Sequence, residues 1–84
     1  MSQQFDSTTA TYTLADLQRG ESAVITRFLS NDTRFLRFRE RGLLPGTKVK
    51  FVRRAPLGDP IEFNVRGCLL SIRREEAAQI EIEA

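Results

Sequence analysis

The chain has 84 residues, 40% of them hydrophobic and 29% charged, and carries a formal net charge of +2. This length and composition predict one folded domain with a small core, not a disordered chain. There is no histidine and only one cysteine, which excludes an intramolecular disulfide and a Ser–His or Cys–His catalytic pair. We therefore expect no enzyme, no catalytic residues, and no cofactor or metal site built from nitrogen and sulfur ligands.

Residues 1–12 predict a flexible N-terminal tail, because they are polar and rich in Ser, Thr and Gln. This segment lacks the basic and apolar regions of a secretory signal. No apolar run in the chain exceeds three residues, too few to span a bilayer. We expect a cytoplasmic protein whose single domain covers residues 13–84.

The segment "TLADLQRG" predicts one short helical turn, in which Thr13 and Asp16 match the S/T-x-x-D/E capping signature. "ESAVITRFL" follows as the first strand, because it is rich in β-branched and aromatic residues. "SNDTRFLRFRERG" then predicts a helix of about ten residues, begun by Asn31 or Asp32 and stopped by Gly42.

The second half of the chain predicts four more strands, "TKVKF", "IEFNV", "CLLSI" and "IEIE", in which apolar residues alternate. The lone cysteine, Cys68, shares the apolar face of its strand and is predicted to be a small core residue. "RREEAAQ" predicts a helical turn with Glu75 and Glu76 in solvent. Five short strands favour closure into a small β-barrel, with the helix between strands one and two.

The connector "APLGDP" between two predicted strands is longer than a hairpin needs. Pro56 and Pro60 restrict the backbone, Gly58 allows a positive φ, and Asp59 can accept hydrogen bonds from nearby amides. Leu57 is predicted to be exposed at the tip of this loop, where it could insert into a partner.

A second turn, "LLPG", offers a similar feature. We predict that Leu43 packs in the core and that Leu44 is available for surface contact.

The predicted helix is basic, and its arginines allow three interpretations. They could form a solvated face, contact an acidic partner, or bind nucleic acid. The third interpretation makes a nucleic-acid-binding small barrel the rival function, although such barrels use aromatic stacking platforms that this chain does not suggest. We therefore expect no nucleic acid as a partner. The arginines concerned are Arg34, Arg37, Arg39 and Arg41.

Two motifs occur along the chain, "GLLPG" at residues 42–46 and "PLGDPI" at residues 56–61, followed by "LSIRREEA" and a last strand. Together they resemble the ferrous-iron transport protein A (FeoA) family. The resemblance implies an SH3-like β-barrel that assists FeoB, a membrane ferrous-iron transporter with a cytosolic G-protein domain. Arg39 and Arg41 depart from the family pattern, which usually has apolar residues there.

On this basis we predict a non-enzymatic cytoplasmic accessory protein of ferrous-iron uptake that binds the cytosolic part of a FeoB-type transporter. It would reach the membrane only through that partner, and weak self-association through strand edges stays open. Iron carriage by the carboxylates of Asp59, Glu62 and Glu40 is a further alternative, and we expect it to be weak. The predicted partner-binding residues are Leu57, Gly58, Asp59, Pro60, Leu44 and Arg41.

Overall fold

The computed structural model describes residues 12–83. Its strands are β1 (Tyr12–Thr13), β2 (Ser22–Phe28), β3 (Lys48–Arg54), β4 (Ile61–Val65), β5 (Cys68–Ile72) and β6 (Ile80–Glu83). The two α-helices are α1 (Leu36–Glu40) and α2 (Arg74–Ala77), and 3-10 turns cover Leu14–Asp16 and Thr33–Phe35. The predicted tail, residues 1–12, lies outside the described residues except for Tyr12, which belongs to β1.

All six strands form one antiparallel sheet in the order β1-β6-β2-β3-β4-β5. The predicted mainly β fold, with a helix between two early strands and two short helical turns, is confirmed. The additional strand β1 is only two residues long and pairs with β6. Because the edge strands β1 and β5 do not pair with each other, the sheet is not closed into a complete barrel.

The core forms where alternating residues of the strands meet the helical segment. Val49 and Phe51 of β3 are buried, as predicted, while Lys48 and Lys50 are exposed. The rings of Phe51 and Phe63 stack edge to face, with centroids 5.9 Å apart. Register shifts in β2 and β3 let these strands twist around the core.

The helical segment lies over the core through two phenylalanines. Phe35 and Phe38 are fully buried, and Leu43 after the helix is buried as predicted. The segment begins at Asp32, whose carboxylate accepts a 2.9 Å hydrogen bond from the Arg34 N–H. It ends at Gly42, which has a φ of +97°. The expected start and stop signals are therefore confirmed, with a 3-10 turn preceding α1.

The prediction that Cys68 is a core residue is wrong, because its side chain is exposed. The predicted face is nevertheless correct, since Cys68 pairs with the buried Val65. Burial along this face rises from Cys68 through the half-buried Leu70 to the buried Ile72. Cys68 is exposed because it adjoins the β4–β5 turn at the margin of the sheet, where a neighbouring strand is missing on one side.

The prediction that Glu76 is solvated is also wrong, because the residue is buried. Its carboxylate accepts hydrogen bonds of 3.0 Å from the Arg73 backbone N–H and from the Arg37 guanidinium. Burial of the Glu76 carboxylate is tolerated because both of its oxygens have hydrogen-bond donors.

No helix in the described part of the chain is long and apolar enough to cross a membrane.

Candidate partner-binding loop

The β3–β4 loop, residues 55–60, is closed by its own backbone hydrogen bonds. The Ala55 N–H donates to the Pro60 carbonyl at 3.0 Å, and the Gly58 N–H donates to the Ala55 carbonyl at 2.7 Å. The Asp59–Pro60 peptide is cis, and Gly58 has a φ of +93°. No atom beyond Gly58 and its two chain neighbours lies within 4 Å of the position that a Cβ on Gly58 would take, so the conformation, not the available space, requires glycine.

Asp59 anchors the loop to a distant part of the chain. Its Oδ1 accepts a 2.8 Å hydrogen bond from the backbone N–H of Arg74, the first residue of α2. Its Oδ2 lies 3.9 Å from a guanidinium nitrogen of Arg73. The acceptor role predicted for Asp59 is therefore confirmed, but the donor is fifteen residues away and not in the loop itself.

This anchor could have been anticipated from the start of α2. The residue that precedes the helix is Arg73, which cannot accept hydrogen bonds from the first amides as Ser, Thr, Asp or Asn can. A helix without its own cap needs an acceptor from elsewhere. Asp59 supplies that acceptor for Arg74.

Leu57 is 98% exposed, the highest value among the large hydrophobic side chains of residues 12–83. The loop therefore holds an apolar side chain in water on a backbone that is fixed at its base. Complete burial of a leucine side chain contributes about 2 kcal/mol. The exposed leucine can supply such a contribution only in a complex, because no described residue covers it.

The base of the loop is rich in arginine. Arg53 donates to Glu62 at 2.7 Å, and the Arg54 guanidinium lies over the Phe51 ring, 5.1 Å from its centroid. Arg73 and Arg74 lie on the side of α2, next to Asp59. A partner that accommodates Leu57 would therefore meet a predominantly cationic border, which favours acidic groups around an apolar pocket.

The structure separates the predicted site residues into two groups. The first group follows the end of β3 and consists of Leu57, Gly58, Asp59 and Pro60. The second group precedes the start of β3 and consists of Arg41 and Leu44. A strand of seven residues spans roughly 20 Å, so the groups lie at opposite ends of β3. Leu44 is 42% exposed, as predicted, and Arg41 lines a shallow depression beside Leu70.

Three of the four arginines on the helical segment already have intramolecular partners. Arg34 lies 3.4 Å from Asp32, and Arg37 is paired with Glu76. The Arg39 guanidinium lies 4.5 Å from the centroid of the Phe28 ring. Only Arg41 has neither a salt bridge nor an aromatic contact with the described residues, so the helix is not a uniformly solvated face.

The comparisons with known proteins agree with the observed fold. The FeoA domain model matches residues 12–84. The FeoA protein of Chlorobium tepidum is 40% identical, with a TM-score of 0.80, over 86% of this chain and 69% of that one. Stenotrophomonas maltophilia FeoA, solved with zinc and described as an SH3 domain protein, is 29% identical, with a TM-score of 0.75, over 86% and 89% of the two chains. The fold is therefore SH3-like, as predicted.

A further relative is the Fe(2+) transport protein A/Fe(2+) transporter FeoB fusion protein of Porphyromonas gingivalis, 37% identical over 70 residues. The match covers 83% of this chain but only 8% of the fusion protein. Residues 12–83 contain no group of three or more Asp, Glu, Cys or His side chains placed to hold a metal ion.

Proposed function

Because the chain belongs to the FeoA family, we propose that it is a non-enzymatic accessory protein that binds the cytosolic part of a FeoB-type ferrous-iron transporter. The family is linked to ferrous-iron transport, and the fusion of the two modules in Porphyromonas gingivalis supports their association. Domains that are fused in one chain act at a high effective concentration. A separate protein needs a surface that replaces this covalent link.

The observation that carries the proposal is the exposure of Leu57 on an anchored loop. Binding costs less when the contact segment is already ordered, because little conformational entropy remains to be lost. Gly58 and Pro60 shape the loop, Asp59 fixes it to α2, and Leu57 makes the principal contact. Leu44 and Arg41 would form a second contact only with a partner surface that extends along the length of β3.

The test is an NMR titration of the isotope-labelled protein with the cytosolic domain of its cognate transporter. We expect saturable shifts centred on residues 57–60. Leu57→Ser should weaken binding about tenfold or more, because complete burial of a leucine side chain contributes about 2 kcal/mol. Leu36→Ser is the matched control, because Leu36 is 50% exposed on α1, and it should bind like the original protein.

Two results would contradict the proposal. One is the absence of any amide shift at high micromolar partner. The other is equal affinity for the Leu57→Ser and Leu36→Ser variants. Either result would remove Leu57 from the contact, and the first would also exclude the soluble domain as the target.

The nucleic-acid-binding alternative has less support. Arg34, Arg37 and Arg39 are engaged within the protein. Tyr12 is the only mostly exposed aromatic side chain among residues 12–83, so an aromatic stacking platform is missing from the described surface. Tight binding of RNA or DNA with a steep salt dependence would favour this alternative.

A further inference from the structure

A row of polar side chains crosses the outer face of the sheet, away from the loop. Ser22 of β2 lies opposite Lys50 of β3, which in turn lies opposite Asn64 of β4. Lys48 lies two residues before Lys50 and faces the same side. Side chains two residues apart on a strand are separated by about 7 Å, and neighbouring strands by about 5 Å.

The β4–β5 turn adds a third cation to these lysines. Because Val49 pairs with Val65, the register places Arg66 beside Lys48. These side chains border one open groove of about 540 Å³. Its lining consists of two glycines together with Ser22, Thr47, Lys48, Lys50, Asn64 and Arg66. The lining contains three cations, no carboxylate and no large apolar side chain.

The three cations of this groove have no acidic partner among residues 12–83. Lys48, Lys50 and Arg66 form no salt bridge with any carboxylate of residues 12–83. Glu62, on the same face of β4, is already bound to Arg53. Five other basic residues form salt bridges, namely Arg27, Arg34, Arg37, Arg53 and Arg73.

Arg66 also occupies a backbone conformation that disfavours it. It is the only residue other than glycine with a positive φ among residues 12–83, at 55°, and Gly67 follows at 85°. Two-residue turns of this kind prefer Asn-Gly, and arginine there costs free energy. Arginine therefore occupies a position where asparagine would stabilise the turn better.

We infer that this groove binds a phosphate-type polyanion. Lysine ammonium groups and an arginine guanidinium form charge-assisted hydrogen bonds with phosphate oxygens. The Ser22 hydroxyl is a further donor. Asn64 Oδ1 accepts from the Gly67 N–H at 3.0 Å, so the Asn64 NH₂ remains available to donate. A nucleic acid fits less well, because no aromatic ring lines the groove for base stacking.

The experiment is a calorimetric titration with tripolyphosphate at low and at physiological salt, with NMR mapping of the shifted amides. We expect saturable binding that weakens with salt and shifts centred on Lys48, Lys50, Asn64 and Gly67. The double variant Lys48→Gln/Lys50→Gln should reduce the affinity for tripolyphosphate about tenfold or more, because it removes two charge-assisted hydrogen bonds to phosphate oxygens. The control double variant, Arg19→Gln/Arg27→Gln, removes the same formal charge outside the groove and should leave the affinity within about twofold.

Arg66→Asn gives a sharper test, because the proposal predicts opposite effects on two properties. The unfolding midpoint should rise as the turn becomes Asn-Gly, while the affinity for tripolyphosphate should fall. If Arg66 had only a structural role, the Arg66→Asn variant would be more stable and would still bind tripolyphosphate with unchanged affinity.

Vesicles with and without an anionic phospholipid distinguish a lipid headgroup from a free polyphosphate. Binding to anionic vesicles alone, lost in Lys48→Gln/Lys50→Gln, would identify the headgroup as the source. The inference is overturned if neither probe binds, if the two double variants lose affinity equally, or if a single-stranded oligonucleotide binds more tightly than tripolyphosphate. None of these results depends on a transporter contact at Leu57.

Discussion

The carboxylate of Asp59 and the backbone N–H of Arg74 join the β3–β4 loop to the start of α2 through a 2.8 Å hydrogen bond. The bond satisfies a helix amide that its own N-cap residue, Arg73, does not serve. It also restrains the loop that carries Leu57. One carboxylate therefore contributes to the stability of a helix and to the order of the candidate binding loop.

Asp59→Ala should lower the free energy of unfolding by about 1 kcal/mol, the usual effect of losing a helix cap. Asp59→Asn keeps an oxygen acceptor and should lose less. Urea denaturation with an unchanged m-value measures the difference. Equal stability of the alanine variant and the original protein would show that solvent replaces the Asp59 carboxylate at no cost.

Gly58→Ala should destabilise the protein by about 1 kcal/mol or more, because a residue with a Cβ disfavours a φ of +93°. The loss should arise from the backbone alone, since no atom would clash with the new methyl group. Gly58→Asn should be less costly, because asparagine tolerates positive φ better than alanine. Thermal unfolding of both variants checks the ranking, and an alanine variant as stable as the asparagine variant would contradict it.

Arg37→Ala should cost about 2 kcal/mol, because it removes a donor from a carboxylate with only 5% of its side chain exposed. Arg27→Ala is the matched control. Its partner Glu81 is 20% exposed, and such a surface pair should contribute less than about 1 kcal/mol. Chemical denaturation of the two variants compares the pairs directly. Equal losses would show that burial of Glu76 does not strengthen its dependence on Arg37.

The Cys68 thiol should react with a thiol reagent in the native protein at a rate close to that of the unfolded chain, because it is exposed. Cys68→Ser should change stability by no more than about 0.5 kcal/mol. A spectrophotometric thiol assay with and without denaturant measures the rates. Strong protection of the native thiol would contradict the exposed position.

The monomer should not bind Fe(II) with sub-micromolar affinity. Two of the carboxylates considered for iron carriage are engaged elsewhere, Asp59 with Arg74 and Glu62 with Arg53. Iron held by oxygen ligands alone needs several that converge, and residues 12–83 contain no such cluster. Anaerobic calorimetry tests this expectation, and sub-micromolar saturable binding would refute it.

Local sequence patterns predicted the elements whose causes are local. Alternation in "TKVKF" and "IEFNV" assigns the buried and exposed faces of β3 and β4, because side chains on a strand point alternately to opposite sides. The Thr13 N–H donates to Asp16 at 2.9 Å, as the capping signature predicts. The exposure of Leu57 and the positive φ of Gly58 also follow from the loop sequence alone.

Tertiary structure decided the features that depend on distant neighbours. Cys68 lies on the apolar face of β5 but is exposed, because strand order places β5 at an edge. Glu76 is buried because Arg37, thirty-nine residues away, reaches it. Sequence determined which way the side chains of the strands face. Only the packing of the sheet decided what covers those faces, since residues far apart in the chain supply the cover.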